Sequence, residues 1–524
     1  MNRDEMTSNL FLKVHTLQPA GMGRTRARAV RLADMTKPLL IDERKAMVAG
    51  AIRRIFKAER ASNIAAVPKV RFKVLTSLAA MYSSDMKTVF LEYIFEDLLS
   101  RSDLALSWLY EEYCYYQGFN RTSSMLQRRN DDAEYDSIML ALIKGVIHKT
   151  EGKDREQLLR RFYLEPPIIT EEAIKLLKKF ILIEGTAITV VNLMKDLVMC
   201  RPTKKLHFLN FLLEFCSHEI REVRETANKT VLQLHENGDF NEIIEDFSVM
   251  YLRFLLSPNP PTLLFDPERG RMIMSATWTE DLIKVCIQLY LSLLPQNLKM
   301  FSHLADVYKA ASADVKRTIL RVLDISVRNI DMDNPELLDI VESCPKGAET
   351  LVTRVIHILT DMKRPTPALV DKVRDLYENR FSDVRFLIPV LNGLSKQEVI
   401  TALPKLIKLN PVVVKEVFNR LLNPTNAGPL SPADLLIALH NMDPDKSDMK
   451  TVIRATSLCF QDKQTFTQEV LAIVLQQLME QATVPLLFMR TVIQAVTTYP
   501  RLIGFVMNIL QRLIVKQVKW AHVL

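Results

Sequence analysis

The sequence predicts an all-α protein whose helices pair and stack along the chain. Glycine contributes only 13 of the 524 residues, well below the ~7% of average proteins, so tight turns are few. Apolar residues make up 48% of the chain and charged residues 25%, enough for many amphipathic helices, and no sustained strand-like alternation is present. The chain is also too long for one compact core, so we expect several domains or one extended repeat architecture.

A short recurring pattern supports a repeat architecture. An apolar residue followed by a base opens an amphipathic run at four places: Val70-Arg71, Val223-Arg224, Val315-Lys316 and Val384-Arg385. Their separations loosely approximate multiples of the ~40-residue period of HEAT and armadillo helix pairs. The predicted fold is therefore a HEAT- or armadillo-like superhelical stack of helices.

Capping residues place several helix boundaries. Thr170, Asn334 and Ser431 each precede a proline or an acidic residue, as N-caps commonly do. Gly238 stands where a left-handed residue would end the helix before it. That helix is predicted from one apolar stripe, which consists of Ile220, Val223, Ala227, Val231 and Leu234. A broader apolar face between residues 468 and 481 predicts a helix buried between neighbours.

Composition divides the chain into five predicted parts. The proline-rich stretch at 257–279, with four prolines, is long for a loop within a compact domain and is therefore a boundary or an insertion. The predicted parts are a basic, flexible leader at 1–40, a helical-repeat middle region at 41–256, a Pro-rich loop or insertion at 257–279, a carboxy-terminal helical-repeat domain at 280–520, and a tail at 521–524.

The positive charge is concentrated at the front of the chain. The first sixty residues contain 13 Lys/Arg and 6 Asp/Glu, whereas the whole chain has a formal net charge of +8. Arg24, Arg26, Arg28 and Arg31 are candidates for contact with RNA phosphates. The competing interpretation is a solvated linker, which we favour because no aromatic residues interleave to stack bases.

The sequence lacks the patterns that catalysis requires. Gly21 and Gly23 have neither the third glycine nor the preceding strand of a phosphate-binding loop. The cluster of Cys200, His207, Cys216 and His218 offers four zinc-type ligands, but its spacing fits no common finger, and we favour buried thiols. We therefore predict no enzyme activity, no cofactor, no metal site and no small-molecule substrate. The stretch at 180–199 is interrupted by charges, so we expect no membrane-spanning segment there. We also expect no membrane among the partners.

Several longer motifs in the second half resemble the symplekin family. They are SCPKGAETLV at 343–352, LPKLI at 403–407, SPADLLIALH at 431–440, TQEVLA at 467–472, FMRTVIQ at 488–494 and YPRL at 499–502. The resemblance to the family's carboxy-terminal domain covers about residues 330–519, and the upstream half resembles its middle region with less distinctive motifs.

This resemblance implies a nuclear, non-enzymatic helical-repeat scaffold of pre-mRNA 3′-end processing. Its implied roles are in cleavage and polyadenylation and in histone pre-mRNA cleavage. The implied partners are the endonuclease subunit of the cleavage and polyadenylation specificity factor, its inactive homologue, and the hinge of the cleavage stimulation factor, with RNA contacted indirectly. The family's amino-terminal HEAT domain has no counterpart here, and the pattern departs after residue 518, so we expect a fragment or a truncated product.

Two other functions fit a helical-repeat chain with a basic front. One is an RNA-binding module that uses the basic leader, and the other is a HEAT-type transport adaptor, since fold alone does not determine function.

Overall fold

The computed structural model describes residue 31 and residues 35–61, 68–80, 84–119, 133–183, 185–266, 270–271, 273–422, 428–443 and 447–515. Helices are the only regular elements in these ranges, and no β-strand occurs among them. The all-α prediction is therefore confirmed. None of the helices in this part of the chain combines the length and the apolarity that crossing a bilayer requires.

The chain divides into two compact units, Met1–Leu206 and His207–Leu524. The first unit contains eight described helices: α1 (Ile41–Ala61), α2 (Pro68–Ala80), α3 (Ser84–Glu96), α4 (Ser102–Tyr116), α5 (Ala133–Lys149), α6 (Gly152–Leu164), α7 (Glu171–Phe180) and α8 (Ala187–Cys200). Packing is local: α4 lies on α2 and α5, and α5 also contacts α6 and α7. The domain boundaries set from the sequence stay predictions.

The second unit holds most of α9 and all of the later elements. Its first half comprises α9 (Lys205–Phe215), α10 (Arg221–Glu236), α11 (Asn241–Phe254), a 3₁₀ turn η1 (Thr262–Leu264), α12 (Glu280–Leu293), η2 (Leu298–Met300), α13 (Phe301–Ala310), α14 (Ala313–Val327), α15 (Pro335–Ser343), α16 (Glu349–Thr360) and α17 (Pro367–Asn379). Its second half comprises η3 (Val384–Gly393), α18 (Lys396–Leu406), α19 (Pro411–Leu422), α20 (Pro432–His440), α21 (Met449–Gln461), α22 (Gln468–Glu480), α23 (Phe488–Thr498), η4 (Pro500–Leu502) and α24 (Ile503–Val515).

Stacking in the second unit follows every second helix. One series runs α10, α12, α14 and α16, and the other includes α15 on α17; α20, α22 and α24 then continue the same rule. Each helix thus buries its apolar stripe against the next pair rather than in one central core. This is the packing typical of helical-repeat proteins, in which contacts reach only to neighbouring repeats.

The predicted helix ends are confirmed by their capping geometry. The side chain of Thr170 accepts from the backbone N–H of Ala173, and that of Asn334 accepts from Glu336. Ser431 forms a complete capping box with Asp434. Gly238 adopts a φ of 88°, the left-handed conformation that residues with a side chain rarely take.

Two sequence predictions need correction. Ile220 does not share the buried stripe of α10, because it precedes the helix and is 45% exposed, whereas Val223, Ala227, Val231 and Leu234 are fully buried. Residues Val384-Arg385 do not open an amphipathic α-helix. They open η3, a 3₁₀ helix that contains Pro389 and is buried along almost its whole length, because its apolar run has no polar face to turn toward water.

Candidate partner-binding surface

The basic residues predicted at the front lie mostly outside the described part of the chain. Arg24, Arg26 and Arg28 belong to the segment 1–30, which the structure does not describe, and Arg31 is exposed. Their contact with RNA phosphates stays a prediction.

The predicted zinc-type residues lie in different environments. The expectation of buried thiols is wrong for Cys200, which is exposed, and confirmed for Cys216. Burial raises the pKa of the Cys216 thiol well above its usual range. The ring of His218 accepts a hydrogen bond at Nδ1 from the backbone N–H of Ile220, at 3.1 Å. No group of three or more potential metal ligands occurs within the described ranges.

The last helix of the second unit carries two apolar stripes. Val506, Ile509 and Leu513 are buried against the neighbouring helices. A second set of apolar side chains at helical spacing remains in solvent, namely Ile503, Met507 and Ile514, which are 52%, 53% and 65% exposed. Residues spaced by four and seven lie on one face of a helix, so α24 presents an apolar face beyond the one it uses for folding.

The helices that contact α24 also expose large apolar side chains. Helices α22 and α23 both pack on α24, and they expose Ile473 and Ile493, which are 49% and 64% accessible. Exposed apolar residues scattered singly are ordinary, but contiguous apolar faces mark interaction sites. We call the large exposed apolar residues of α22, α23 and α24 the terminal surface; they are Ile473, Ile493, Ile503, Met507, Ile514 and Val515.

The charge beside the α23 and α24 part of the terminal surface is basic, whereas α22 carries Glu469 and Glu480. Residues 481–524 contain no Asp or Glu and five Lys or Arg. Of these, Arg490, Arg501 and Arg512 lie on described elements of the terminal helices and are exposed. An apolar face with a basic rim attracts a partner segment that is apolar and acidic, because complementary charge steers encounter and penalises basic partners.

A buried histidine fixes α20 to α23 behind this surface. His440 is 7% exposed, and its Nδ1 donates to the carbonyl of Leu436 at 2.7 Å while Nε2 lies 2.7 Å from the Thr491 hydroxyl. Burial lowers the pKa of His440 below 6.5, although the bond to Leu436 acts in the opposite direction. The ring is therefore neutral at pH 7, and Nε2 accepts from Thr491.

A second cluster holds η3 in place at the start of this region. Arg420 on α19 donates to the Pro389 carbonyl at 3.3 Å and to the Thr360 hydroxyl at 3.4 Å. His357 on α16 bonds to Glu416 at 2.6 Å, and Arg420 approaches the same histidine ring at 3.1 Å. Sequence analysis did not find this cluster, since its members are about sixty residues apart and no local pattern marks them.

The helices from η3 onward correspond to a known family. Residues 383–522 match the family described as Symplekin tight junction protein C terminal. This part of the chain is a symplekin C-terminal region. The match begins at Asp383, which caps η3 by accepting from the backbone N–H of Arg385 at 3.0 Å. It extends past α24, so the symplekin region includes the whole terminal surface.

The family and the helical-repeat fold together describe a scaffold of the symplekin type and indicate a non-catalytic protein. Within the described residues, the terminal surface is the candidate binding face of the symplekin region.

Proposed function

We propose that the chain is a scaffold of nuclear pre-mRNA 3′-end processing that makes and breaks no bond itself. Its partners are the endonuclease subunit of the cleavage and polyadenylation specificity factor and that subunit's inactive homologue, with a separate segment for the hinge of the cleavage stimulation factor. The observation that carries this proposal is the symplekin match at 383–522, together with the motifs at 343–352 and 431–440.

The scaffold acts by raising effective concentration. Holding a nuclease beside the factors that select the RNA makes their encounter intramolecular, at a local concentration of roughly millimolar for a short flexible connection. The chain then needs only rigid helices and specific binding faces. The burial of the helices' apolar stripes against neighbouring repeats supports the first requirement, and the binding faces are part of the proposal.

The terminal surface is the binding face that we assign to these protein partners. It lies in the symplekin region and joins exposed apolar side chains to a basic rim. Binding energy concentrates in a few buried anchors of an interface, so Met507 and Ile514 on α24 are the anchors to test.

The test measures co-elution of the purified chain with the endonuclease heterodimer in gel filtration. The unaltered chain should co-elute, and Met507→Glu combined with Ile514→Glu should weaken binding by about tenfold or more, which corresponds to 1.4 kcal/mol. The control is Val412→Glu, since Val412 is 77% exposed on α19 of the same region but lies outside the terminal surface. The control variant should bind like the unaltered chain.

Two results would contradict these expectations, one for the function and one for the binding face. Failure of the unaltered chain to bind the heterodimer would remove the proposed function. Equal binding by the double variant and the Val412 control would retain the function but remove the terminal surface as its site. The isolated chain should also cut no RNA with or without added zinc.

A further inference from the structure

The connection between α11 and α12 borders a cavity of about 640 Å³. One wall is the start of α10, another is the start of α12, and the third is the connection itself. The cavity is lined by two arginines, a lysine, two acidic residues and several apolar side chains. This volume falls within the range of ligand-binding pockets, about 300–1,000 Å³.

Arg271 is the buried charge of this cavity. It is only 9% exposed, and its guanidinium makes a single hydrogen bond to the described chain, from Nη1 to the Leu264 carbonyl at a long 3.4 Å. Burial, the largest influence, lowers the pKa of Arg271, and the nearby charge of Arg224 also lowers it, whereas Cys286 and Glu219 act in the opposite direction. A guanidinium has five N–H donors in a fixed fork, so most of its donors have no acceptor among the described residues.

Arg224 also lines the cavity, and His218 lies next to it against Gly270. Arg224 is held by bonds from Nε to Gln288 at 3.0 Å and from Nη1 to the His218 carbonyl at 2.7 Å, while its Nη2 makes no hydrogen bond within the described residues. His218 is fully buried, and its Nε2 has no hydrogen-bond partner there. Burial first, and then the charges of Arg271 and Arg224, lower the pKa of His218 to about 4.

The local fold brings these groups together by a close backbone approach. Gly270 has a φ of 79°, and a Cβ built on it would lie 3.3 Å from both Glu219 Cβ and the His218 ring. Only glycine therefore lets the connection approach the start of α10 so closely. The indole N–H of Trp278 donates to the Ser257 carbonyl at 2.8 Å and closes the base of the connection.

Burying cationic groups near one another costs free energy, and proteins normally pair such charges through hydrogen bonds or ion pairs. The carboxylates of Glu219 and Asp281 line the cavity, but within the described residues neither bonds to Arg271 or Arg224. We propose that this cavity binds a single phosphate group carried on a phosphorylated side chain of a partner protein. Guanidinium groups match phosphate oxygens in both charge and geometry. Arg271 is the buried donor, and Arg224 presents its remaining N–H groups beside it.

The lining favours a phosphorylated protein over RNA. The carboxylates of Glu219 and Asp281 lie at the cavity, and they would repel a continuous phosphate backbone while leaving room for one phosphate. Ile273 and Met274 are 87% and 63% exposed beside Arg271. They offer apolar contact to residues that flank a phosphorylated side chain.

The first experiment titrates the full chain with inorganic phosphate and, separately, with the capped tripeptide Ala-phosphoserine-Ala, followed by ³¹P NMR at constant ionic strength. We expect saturable binding of both probes and none of the unphosphorylated tripeptide. Arg271→Gln should weaken binding by about tenfold. Arg317→Gln, the matched control, removes the same charge from an arginine that is 72% exposed on α14 and should bind like the unaltered chain.

A second variant covers the case in which Arg271→Gln fails to fold. The Glu219 carboxylate makes no hydrogen bond or ion pair with the described residues, and Glu219 is exposed. Glu219→Gln should therefore fold normally and bind both probes several-fold more tightly, because a repelling charge is removed.

The proposal is overturned if neither probe binds, or if Glu219→Gln leaves affinity unchanged. It is also overturned if inorganic phosphate binds but the phosphorylated tripeptide does not, which would indicate a site for free phosphate. Binding of a ten-nucleotide uridine RNA that depends on Arg271 while the tripeptide fails to bind would instead assign the cavity to RNA.

Discussion

Glu112 in the first unit and Glu416 in the second both bond to basic side chains, yet their pKa values shift in opposite directions. Glu112 is 5% exposed and bonds to Lys87 at 2.7 Å and to the Trp108 indole at 2.9 Å. Burial raises its pKa above 4.5 and outweighs both partners. Burial acts in the same direction on Glu416, but His357 and Arg420 outweigh it, and its pKa lies below 4.5.

The difference lies in how much water each carboxylate keeps. Glu416 retains 43% exposure of its side chain, so its charge remains partly hydrated while two bases approach it. Glu112 has lost almost all of its hydration, and the charge of Lys87 offsets only part of the resulting rise in its pKa. Buried ion pairs therefore add little net stability, although breaking one is costly.

The largest effect is expected where the buried pair is broken. Lys87→Met should destabilise the first unit by about 3–5 kcal/mol, because it leaves Glu112 buried without its cation. Hydrogen-exchange mass spectrometry of peptides from α3 and α4 would measure the change in opening free energy.

A double variant and a control at an exposed ion pair test whether burial causes this loss of stability. Adding Glu112→Gln to Lys87→Met should recover at least half of the loss, since the neutral amide still accepts from Trp108. Lys175→Met breaks an ion pair whose side chains are 59% and 57% exposed and should change little, as expected of a surface pair. An equal loss for both lysines would mean that burial is not the cause.

A smaller effect is expected in the second unit. Arg420→Ala should destabilise it by about 2 kcal/mol, because hydrogen bonds of a charged group contribute about 1.5–3 kcal/mol. The loss should appear as faster exchange in η3 and α19, which Arg420 joins through the Pro389 carbonyl. Unchanged exchange in η3 would contradict this role, and Arg317→Ala serves as the exposed arginine control.

The smallest effects concern pH and have opposite signs at the two carboxylates. Folded Glu112 binds its proton above pH 4.5 more readily than the unfolded chain does, so its contribution to stability falls as pH rises through the window above 4.5. Folded Glu416 holds its proton less tightly, so its contribution is present above pH 4.5 and is lost as pH falls below that value.

Variants separate these two contributions. Glu112→Gln should flatten the loss of stability above pH 4.5 in the first unit, and Glu416→Gln should flatten the loss below pH 4.5 in the second. Hydrogen exchange measured at several pH values would give the change in opening free energy with pH for each unit. The same sign of change in both variants would show that the contrast is wrong.

Much of the fold could be predicted from local patterns. The caps at Thr170 and Ser431 and the left-handed Gly238 are set by residues within one helical turn, and the symplekin motifs are continuous stretches. Val384-Arg385 was predicted wrongly because the following apolar run can be buried as a helix of either kind. Pro389 and burial on all sides produced a 3₁₀ helix there.

The sequence by itself therefore determined the helices, their ends and the family of the terminal region, because these depend on neighbours along the chain. Only the tertiary structure decided which charged groups lost their contact with water and which came into contact with one another. Arg271 lies 47 residues from Arg224 in the sequence, yet the approach of Gly270 to α10 brings both to one cavity. The free energy of a charged group depends on the water it loses and the partners it gains, and folding sets both through contacts between distant residues.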